Sequence, residues 1–234
     1  MIKTIFTFII LTTTTFAVGQ ELSGEELLAK AIQYHDPNGN WDSFNGTLQI
    51  TMETPKNPAR VSTIKINLPK EYFYVKATRA AETTEYTVEK NDCKIAFNGN
   101  TEVSEEVKKE NNLNCERAHL YKNYYTYLYG LPMKLKDEGT IIASKVMKKT
   151  FKGKEYLVLK ATYKESVGKD TWYFYFDPKT YAMEIYQFFK NESKNDGEYI
   201  LLSEEKVVNG IKMPKIRAWY YNANDGYLGT DILD

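Results

Sequence analysis

Two cysteines, Cys93 and Cys115, are the side chains best suited to covalent or metal chemistry in this sequence of 234 residues. A cysteine pair can form a disulfide or contribute to a metal site, and a zinc-type site needs three or four ligands at close spacing. Cys115 and His119 stand four residues apart and could share one face of a helix, whereas His35 has no partner at ligand spacing. The choice between disulfide and metal therefore depends on the compartment in which the protein works.

The N-terminus has the layout of a secretion signal. Lys3 is followed by an apolar stretch over residues 4–18, which is too short to span a bilayer comfortably. Ala17 and Gly19 occupy the small-residue positions of a cleavage site before Gln20, and cleavage after Gln20 is the alternative. We therefore predict a signal peptide over residues 1–19, a single domain over residues 20–234, and a periplasmic or secreted product.

This compartment permits oxidation, so the isolated cysteine pair is typical of a disulfide. The disulfide closes a loop of about twenty residues and should stabilise the fold by about 3 kcal/mol. It also excludes a site built on Cys115 and His119. We predict a Cys93–Cys115 disulfide and no metal ligands. Neither cleavage site leaves an N-terminal cysteine, so no lipid anchor is expected.

Acidic residues offer two further chemical readings. Residues 36–42 (DPNGNWD) resemble the opening of a calcium loop, but the glycine is misplaced and the twelfth position is Thr47, so a turn that ends a helix is the better reading. The pairs Glu105–Glu106 and Glu204–Glu205 are more typical of solvated loops and strand edges than of a glycosidase. The sequence contains no nucleophile elbow, zinc-protease, phosphate-loop or dinucleotide motif. We predict no enzyme and no cofactor.

The charge balance is close to neutral, with 31 basic and 31 acidic residues. Removal of Lys3 with the signal leaves a net charge of about −1, which gives no electrostatic reason to expect binding to nucleic acid. Charged residues interrupt every later apolar run, so the mature chain is not expected to span a membrane. These features favour a neutral or apolar partner, and we expect a monomer.

Two helices are predicted. Ser23 and Glu26 form a capping box, and the helix that follows runs to about His35, where Asp36 and Pro37 end it. A second, tyrosine-rich helix is predicted over residues 115–128, because apolar residues recur there at helical spacing.

The rest of the chain alternates in the two-residue period of β-strands, with turn residues between the strands. An antiparallel meander of about eleven strands is therefore predicted, giving an α+β fold. The predicted strands cover residues 46–53, 60–68, 71–78, 82–90, 94–98, 141–151, 154–163, 170–176, 182–190, 197–208 and 215–221.

Four segments carry a family resemblance. Residues 62–75 (STIKINLPKEYFYV) and 88–103 (VEKNDCKIAFNGNTEV) resemble strands and hairpins of the periplasmic lipoprotein-carrier superfamily, the LolA/LolB/LppX-like proteins. YFYFDPKTYAMEIYQF and VVNGIKMPKIRAWY are similar to exported relatives in that superfamily that have no assigned function. The resemblance implies a curved antiparallel half-barrel with helices on its concave, apolar face. The carrier places an arginine before the strand-ending proline, whereas this chain has Leu68 before Pro69.

By this resemblance, aromatic side chains should line a groove for an apolar ligand. Because side chains alternate along a strand, only one strand set can face inward, either Tyr72 with Tyr74 or Trp172 with Phe174 and Phe176. Ordinary core packing is the alternative for each of them. The full set of groove candidates is Tyr72, Tyr74, Tyr121, Tyr124, Tyr125, Leu128, Trp172, Phe174 and Phe176.

Two functions follow from this interpretation. The first is a soluble periplasmic binding or carrier protein that holds a lipid, an acyl chain or a lipidated protein without converting it. The second is an envelope protein-interaction module whose concave face is filled by its own side chains. Cys93 and Cys115 would in either case attach the helical insertion to the sheet. A cavity of several hundred cubic ångströms on the concave side favours the carrier.

Overall fold

A computed structural model describes residues 21–234, and the predicted signal peptide lies outside these residues. Thirteen strands form one antiparallel sheet accompanied by three α-helices. The helices are α1 (Gly24–His35), α2 (Glu105–Glu110) and α3 (Cys115–Gly130). The strands are β1 (Asn45–Thr54), β2 (Asn57–Asn67), β3 (Tyr72–Arg79), β4 (Glu82–Glu89), β5 (Asp92–Phe97), β6 (Thr140–Ile142), β7 (Met147–Phe151), β8 (Lys154–Tyr163), β9 (Thr171–Phe176), β10 (Met183–Phe189), β11 (Glu198–Val208), β12 (Ile211–Tyr221) and β13 (Tyr227–Leu233).

The first strand, β1, lies in the middle of the sheet. The chain runs outward from β1 to the edge strand β5, and the last strand, β13, returns to pair with β1. The other edge is formed by β6 and β7, which both pair with β8. The segment that contains α2 and α3 therefore leads from one edge of the sheet to the other. This path carries α3 across the concave face.

The strand period of two places a continuous apolar layer on that face. Leu48 of β1 stands opposite Ile64, which stands opposite Val75, which stands opposite Tyr86 of β4, and all four are buried. Irregular register interrupts the pairing after Met52 in β1, after Trp219 in β12 and after Met183 in β10. Such bulges increase strand twist and help an open sheet to curve.

The first helix closes one end of this layer. The Ser23 hydroxyl accepts a hydrogen bond from the Glu26 backbone N–H at 3.3 Å, and the Glu26 carboxylate accepts one from Ser23 N–H at 2.8 Å. Leu27, Leu28 and Ala31 are buried in the main core, so the predicted helix and its capping box are confirmed.

A smaller cluster lies on the opposite, convex face. Tyr156, Val158 and Ile185 pack there with two tyrosines of β9, Tyr173 and Tyr175. Lysines cover these rings, and the Lys149 ammonium lies 4.3 Å from the ring centroid of Tyr173. This face is thereby kept polar toward solvent.

The α+β half-barrel predicted from the sequence is confirmed, with thirteen strands where about eleven were expected. The predicted strand over residues 141–151 is two strands, β6 and β7, because the chain leaves the sheet between them. The short helix α2 and the last strand β13 were not predicted.

Candidate functional site

The candidate site is built around α3. The Asn114 side chain caps this helix by accepting a hydrogen bond from Arg117 N–H at 2.8 Å, and Glu116 adds a favourable negative charge in the first turn. At the far end, a Cβ atom on Gly130 would lie 2.3 Å from the Trp41 ring. Only glycine therefore allows the helix to end this close to the core.

One face of α3 packs against β3, β4 and β5. The Tyr125 ring stacks on Phe73 at 6.4 Å between centroids, and Tyr121 lies 5.6 Å from Tyr86. Arg60 of β2 donates a hydrogen bond from Nη2 to the Tyr125 hydroxyl at 3.0 Å. Burial raises the pKa of Tyr125 to about 12, so this hydroxyl stays neutral at physiological pH.

The Cys93–Cys115 disulfide joins β5 to the first residue of α3. The predicted pairing is therefore present, and it fixes the start of the helix to the edge of the sheet covalently. The sequence predicts this disulfide from the expected oxidising compartment and the cysteine count alone.

A charged pair lies beneath the second half of α3. Arg217 of β12 and Asp231 of β13 are cross-strand partners, and their exposed fractions are 1% and 3%. The guanidinium carbon of Arg217 lies 3.9 Å from the ring centroid of Tyr129, and its Nη1 donates to the Pro214 carbonyl at 2.9 Å. Burial raises the pKa of Asp231, against the attraction of Arg217 and Arg60.

This part of the site is not fully hydrogen-bonded. Within residues 21–234, Nε of Arg217 and the hydroxyl of Tyr129 are buried without a hydrogen-bond partner. Each such group costs about 1–3 kcal/mol relative to one that is solvated or paired. The contact between α3 and β12 is therefore less favourable than its burial suggests.

Two of the clefts beside α3 lie between the helix and the C-terminal strands of the sheet. The first, the β8 cleft, has a volume of about 450 Å³, and the second, the β13 cleft, has a volume of about 320 Å³. The β8 cleft is lined by Asn123, Thr126, Tyr127, Lys134, Asp137, Tyr163, Val167, Gly168, Lys169, Asp170 and Trp172. The β13 cleft is lined by Met52, Thr54, Tyr124, Glu198, Trp219, Leu228, Gly229, Thr230 and Asp231.

The predicted groove residues are distributed between the core and these clefts. Phe174 and Phe176 face inward and are fully buried. Tyr125 and Leu128 are also buried, with exposed fractions of 1% and 4%. Trp172 lines the β8 cleft and Tyr124 lines the β13 cleft. Tyr121 packs at the edge of the core.

Tyr72 and Tyr74 require a correction, because they lie on the convex face and away from α3. Their neighbours Phe73 and Val75 occupy the inward positions of β3. The Tyr74 hydroxyl instead donates to the Glu85 carboxylate at 2.6 Å. Of the two alternatives left open by strand alternation, the set on β9 is the one that faces the concave side.

Sequence reasoning missed several residues of the site, and four of them are Glu198, Arg217, Trp219 and Asp231. Each lies an even number of residues from buried apolar residues of its own strand and therefore on the same face of the sheet. This alternation was the sequence signal that could have identified them. Charged residues at such positions are commonly assigned to the solvent side, and β13 was not predicted at all.

His35 and the calcium-loop-like segment over residues 36–42 both have structural roles. His35 is buried, donates from Nδ1 to the Lys212 carbonyl at 2.8 Å and accepts at Nε2 from Met183 N–H at 2.9 Å. Burial lowers its pKa, so it is a neutral core residue. The Asp36 carboxylate accepts from Asn40 N–H and Trp41 N–H, both at 2.8 Å, and thus forms the turn that ends α1.

The described residues contain no group of three or more potential ligands positioned to hold a metal ion. Over the same residues, no helix is both long enough and apolar enough to cross a bilayer.

Comparison with solved structures defines the fold class as a LolA-like half-barrel. A LolA superfamily protein from Nitrosomonas europaea superposes with a TM-score of 0.53 over 91% of both chains, at 12% identity. An outer membrane lipoprotein-sorting protein domain from Vibrio parahaemolyticus has a TM-score of 0.49 at 9% identity and 90% coverage of each chain. A DUF1329 family protein from Desulfovibrio piger has a TM-score of 0.49 at 8% identity and 92% coverage of each.

The particular family follows from the sequence. The chain belongs to a family of unknown function (DUF6503), whose model matches residues 3–233. Comparison with curated proteins finds no match.

Proposed function

We propose that this protein is a periplasmic or secreted binding or carrier protein that holds a lipid, acyl chain or other apolar ligand beside α3, without converting it. The observation that carries the proposal is the pair of clefts, of about 450 and 320 Å³, between α3 and the sheet. These volumes lie at the lower end of the range of small-molecule sites, about 300–1,000 Å³. Aromatic side chains with polar tips, such as Tyr124, Tyr127, Trp172 and Trp219, suit an amphipathic ligand.

The attachment of α3 supports a binding site that can widen. The helix is fixed to β5 by the disulfide and to β2 by the Arg60–Tyr125 hydrogen bond. Movement of α3 away from β8–β12 would enlarge the clefts and bring solvent to the unpaired groups of Arg217 and Tyr129. A ligand with an apolar chain would then replace the contacts that α3 gives up.

The proposed mature protein is one domain over residues 20–234, released by removal of residues 1–19. The fold resemblance to a LolA superfamily protein supports a carrier over an enzyme, and we assign no catalytic residue. A lipidated protein is the larger ligand compatible with this proposal, because its acyl chain is the part that the clefts would hold.

The test is recovery of a bound amphiphile by native mass spectrometry of protein purified from the periplasm. We expect bound ligand on the wild-type protein, less ligand on Trp172→Ala and Trp219→Ala, and unchanged ligand on the control Tyr72→Ala, since Tyr72 lies on the convex face of β3, away from both clefts. Absence of ligand from all four proteins, together with unchanged clefts in a crystal structure, would contradict the proposal.

A second candidate is an envelope protein-interaction module without a small ligand. The observation that favours it is the filled centre of the concave face, where Phe174, Phe176 and Tyr125 are at most 1% exposed. This candidate predicts ligand-free protein and a partner protein whose binding is unaffected by Trp172→Ala. The same mass-spectrometric experiment therefore separates the two functions.

A further inference from the structure

The β13 cleft differs from the β8 cleft in the charge of its lining. Its ionisable side chains are two carboxyl groups, Glu198 and Asp231, and the phenol of Tyr124, and none of its lining residues is basic. The β8 cleft, by contrast, is lined by two lysines and two aspartates. The β13 cleft is thus acidic in its composition, with apolar and aromatic walls.

Both carboxyl groups in this cleft lack an ion-pair partner within 4 Å among residues 21–234. Burial raises the pKa of Glu198, opposed by the more distant Lys190. Asp231 is 97% buried, since its exposed fraction is 3%. Arg217 and Arg60 attract its charge, yet burial raises its pKa.

The aromatic wall is the second feature of the cleft. Tyr124 and Trp219 are nearly parallel, with 6.3 Å between centroids and 20° between planes. Tyr186 packs edge-on to Trp219 at 6.2 Å and supports its orientation. Trp and Tyr rings attract cations through their negative faces.

The backbone around the cleft is shaped for close approach. Irregular register follows Met52 on one side of the cleft and Trp219 on the other. A Cβ atom on Gly229 would lie 2.5 Å from the Glu53 carbonyl oxygen, so the backbones of β13 and β1 approach each other closely here. Bulges of this kind commonly occur beside binding sites, where they re-aim side chains.

We infer that the β13 cleft binds the cationic head of an amphiphile, a protonated amine or a quaternary ammonium group, whose apolar chain lies along α3. The inference rests on the proposed function and adds the chemical class of the ligand. The head group supplies the positive charge that Glu198 lacks, and the rings of Tyr124 and Trp219 contribute cation–π attraction. An anionic head group would meet two carboxyl groups and is disfavoured.

Three amphiphiles with the same octyl chain and different head groups test the preference for a cationic head. Each is titrated calorimetrically into the mature protein, below its critical micelle concentration. They are octyltrimethylammonium, octyl sulfate and octyl glucoside. We expect octyltrimethylammonium to bind about tenfold more tightly than either of the others, the scale of one desolvated cation–π contact. Glu198→Gln should remove most of this preference, whereas Glu155→Gln, a matched change at an exposed residue of β8, should leave it intact.

The position of the probe is tested by intrinsic fluorescence. Octyltrimethylammonium should change the emission of the wild-type protein and of Trp172→Phe, and the change should be lost in Trp219→Phe. A change lost only in Trp172→Phe would place the cation in the β8 cleft and overturn the inference.

The outcomes separate the inference from the proposed function. Equal binding of the three probes, or tighter binding of octyl sulfate, overturns the cationic preference and leaves an apolar binding protein. Binding of none of the three contradicts both. A preference that survives Glu198→Gln while the variant keeps the wild-type melting temperature also overturns the assignment to this cleft.

Discussion

The two arms of the sheet hold α3 in different ways. The N-terminal arm, β1–β5, is joined to the helix by the Cys93–Cys115 disulfide and by the Arg60–Tyr125 hydrogen bond. The C-terminal arm, β6–β13, meets it through aromatic contacts such as Tyr124 with Trp219, through the hydrogen bond between the Tyr127 and Tyr163 hydroxyls, and through Arg217 beneath Tyr129. Both clefts involve the C-terminal arm.

This difference indicates that α3 is structurally part of the N-terminal arm. A covalent link persists when weaker contacts open, and the hydrogen bond from the partly buried Arg60 adds to it. The contacts to the C-terminal arm are non-covalent, and the β8 and β13 clefts lie between α3 and this arm. Separation, if a ligand induces it, should therefore occur between α3 and the C-terminal arm.

The largest effect is expected at Arg217, the most buried contact of the C-terminal arm with α3. Arg217→Met removes the cation–π contact with Tyr129, the hydrogen bond to the Pro214 carbonyl and the longer-range attraction on the Asp231 charge. It should lower the free energy of unfolding by about 3–5 kcal/mol. Denaturant unfolding measures this value. The double variant Arg217→Met with Asp231→Asn removes the remaining charge and should recover part of the loss. A single variant within about 1 kcal/mol of the wild type would show that the pair is not important for stability.

Removal of the disulfide should have the next largest effect. In Cys93→Ala with Cys115→Ala, the free energy of unfolding should fall by about 3 kcal/mol, because the unfolded chain regains the entropy of the closed loop. Hydrogen exchange should accelerate more over residues 99–130, which also open locally, than in β8–β13, which follow global unfolding alone. Equal acceleration in both arms would contradict the asymmetric attachment, and two free thiols in the purified protein would contradict the disulfide itself.

The sequence was sufficient for most of the fold because its signals are local. The Ser23–Glu26 capping box begins α1, and strand alternation with turn residues locates most of the strands. The position of the disulfide follows from a pair of cysteines and a predicted export signal.

The site was less predictable because it depends on which distant strands become neighbours. Arg217 and Asp231 are cross-strand neighbours only because β13 returns to the middle of the sheet. In the sequence, each has the pattern of an ordinary charged residue on the solvent side of a strand. Likewise, Tyr72 and Trp172 have similar strand contexts, and only the three-dimensional structure shows that one faces away from α3 and the other toward it. Alternation gives two faces but does not say which face is buried.

Hydroxyl deletions on the two sides of α3 should give a smaller, unequal pair of effects. Tyr125→Phe leaves Nη2 of the partly buried Arg60 unpaired and should cost about 1–2 kcal/mol of unfolding free energy. Tyr127→Phe leaves the half-buried Tyr163 hydroxyl, which water can reach, and should cost about 0.5 kcal/mol. Thermal and denaturant unfolding of both variants provides the comparison. A larger loss in Tyr127→Phe would reverse the assignment of α3 to the N-terminal arm.

The smallest effect is the pH dependence contributed by Glu198 in the β13 cleft. Burial raises its pKa above the usual value of 4.5, so the folded state binds the proton more tightly than the unfolded state does. The stability that this group contributes is therefore fully present below pH 4.5 and is lost as the pH rises through the folded-state pKa.

Relative to Glu198→Gln, the wild-type protein should accordingly lose a few tenths of a kcal/mol between acidic and neutral pH, because solvent screening limits the effect at a partly exposed group. Unfolding measured at several pH values for both proteins gives this difference. Addition of octyltrimethylammonium should cancel it, since a bound cation favours the ionised carboxylate that burial disfavours. If the cation leaves this pH difference unchanged, the pKa of Glu198 is set by burial alone and the cation does not bind beside it. The β13 cleft would then have no more preference for a cation than the β8 cleft.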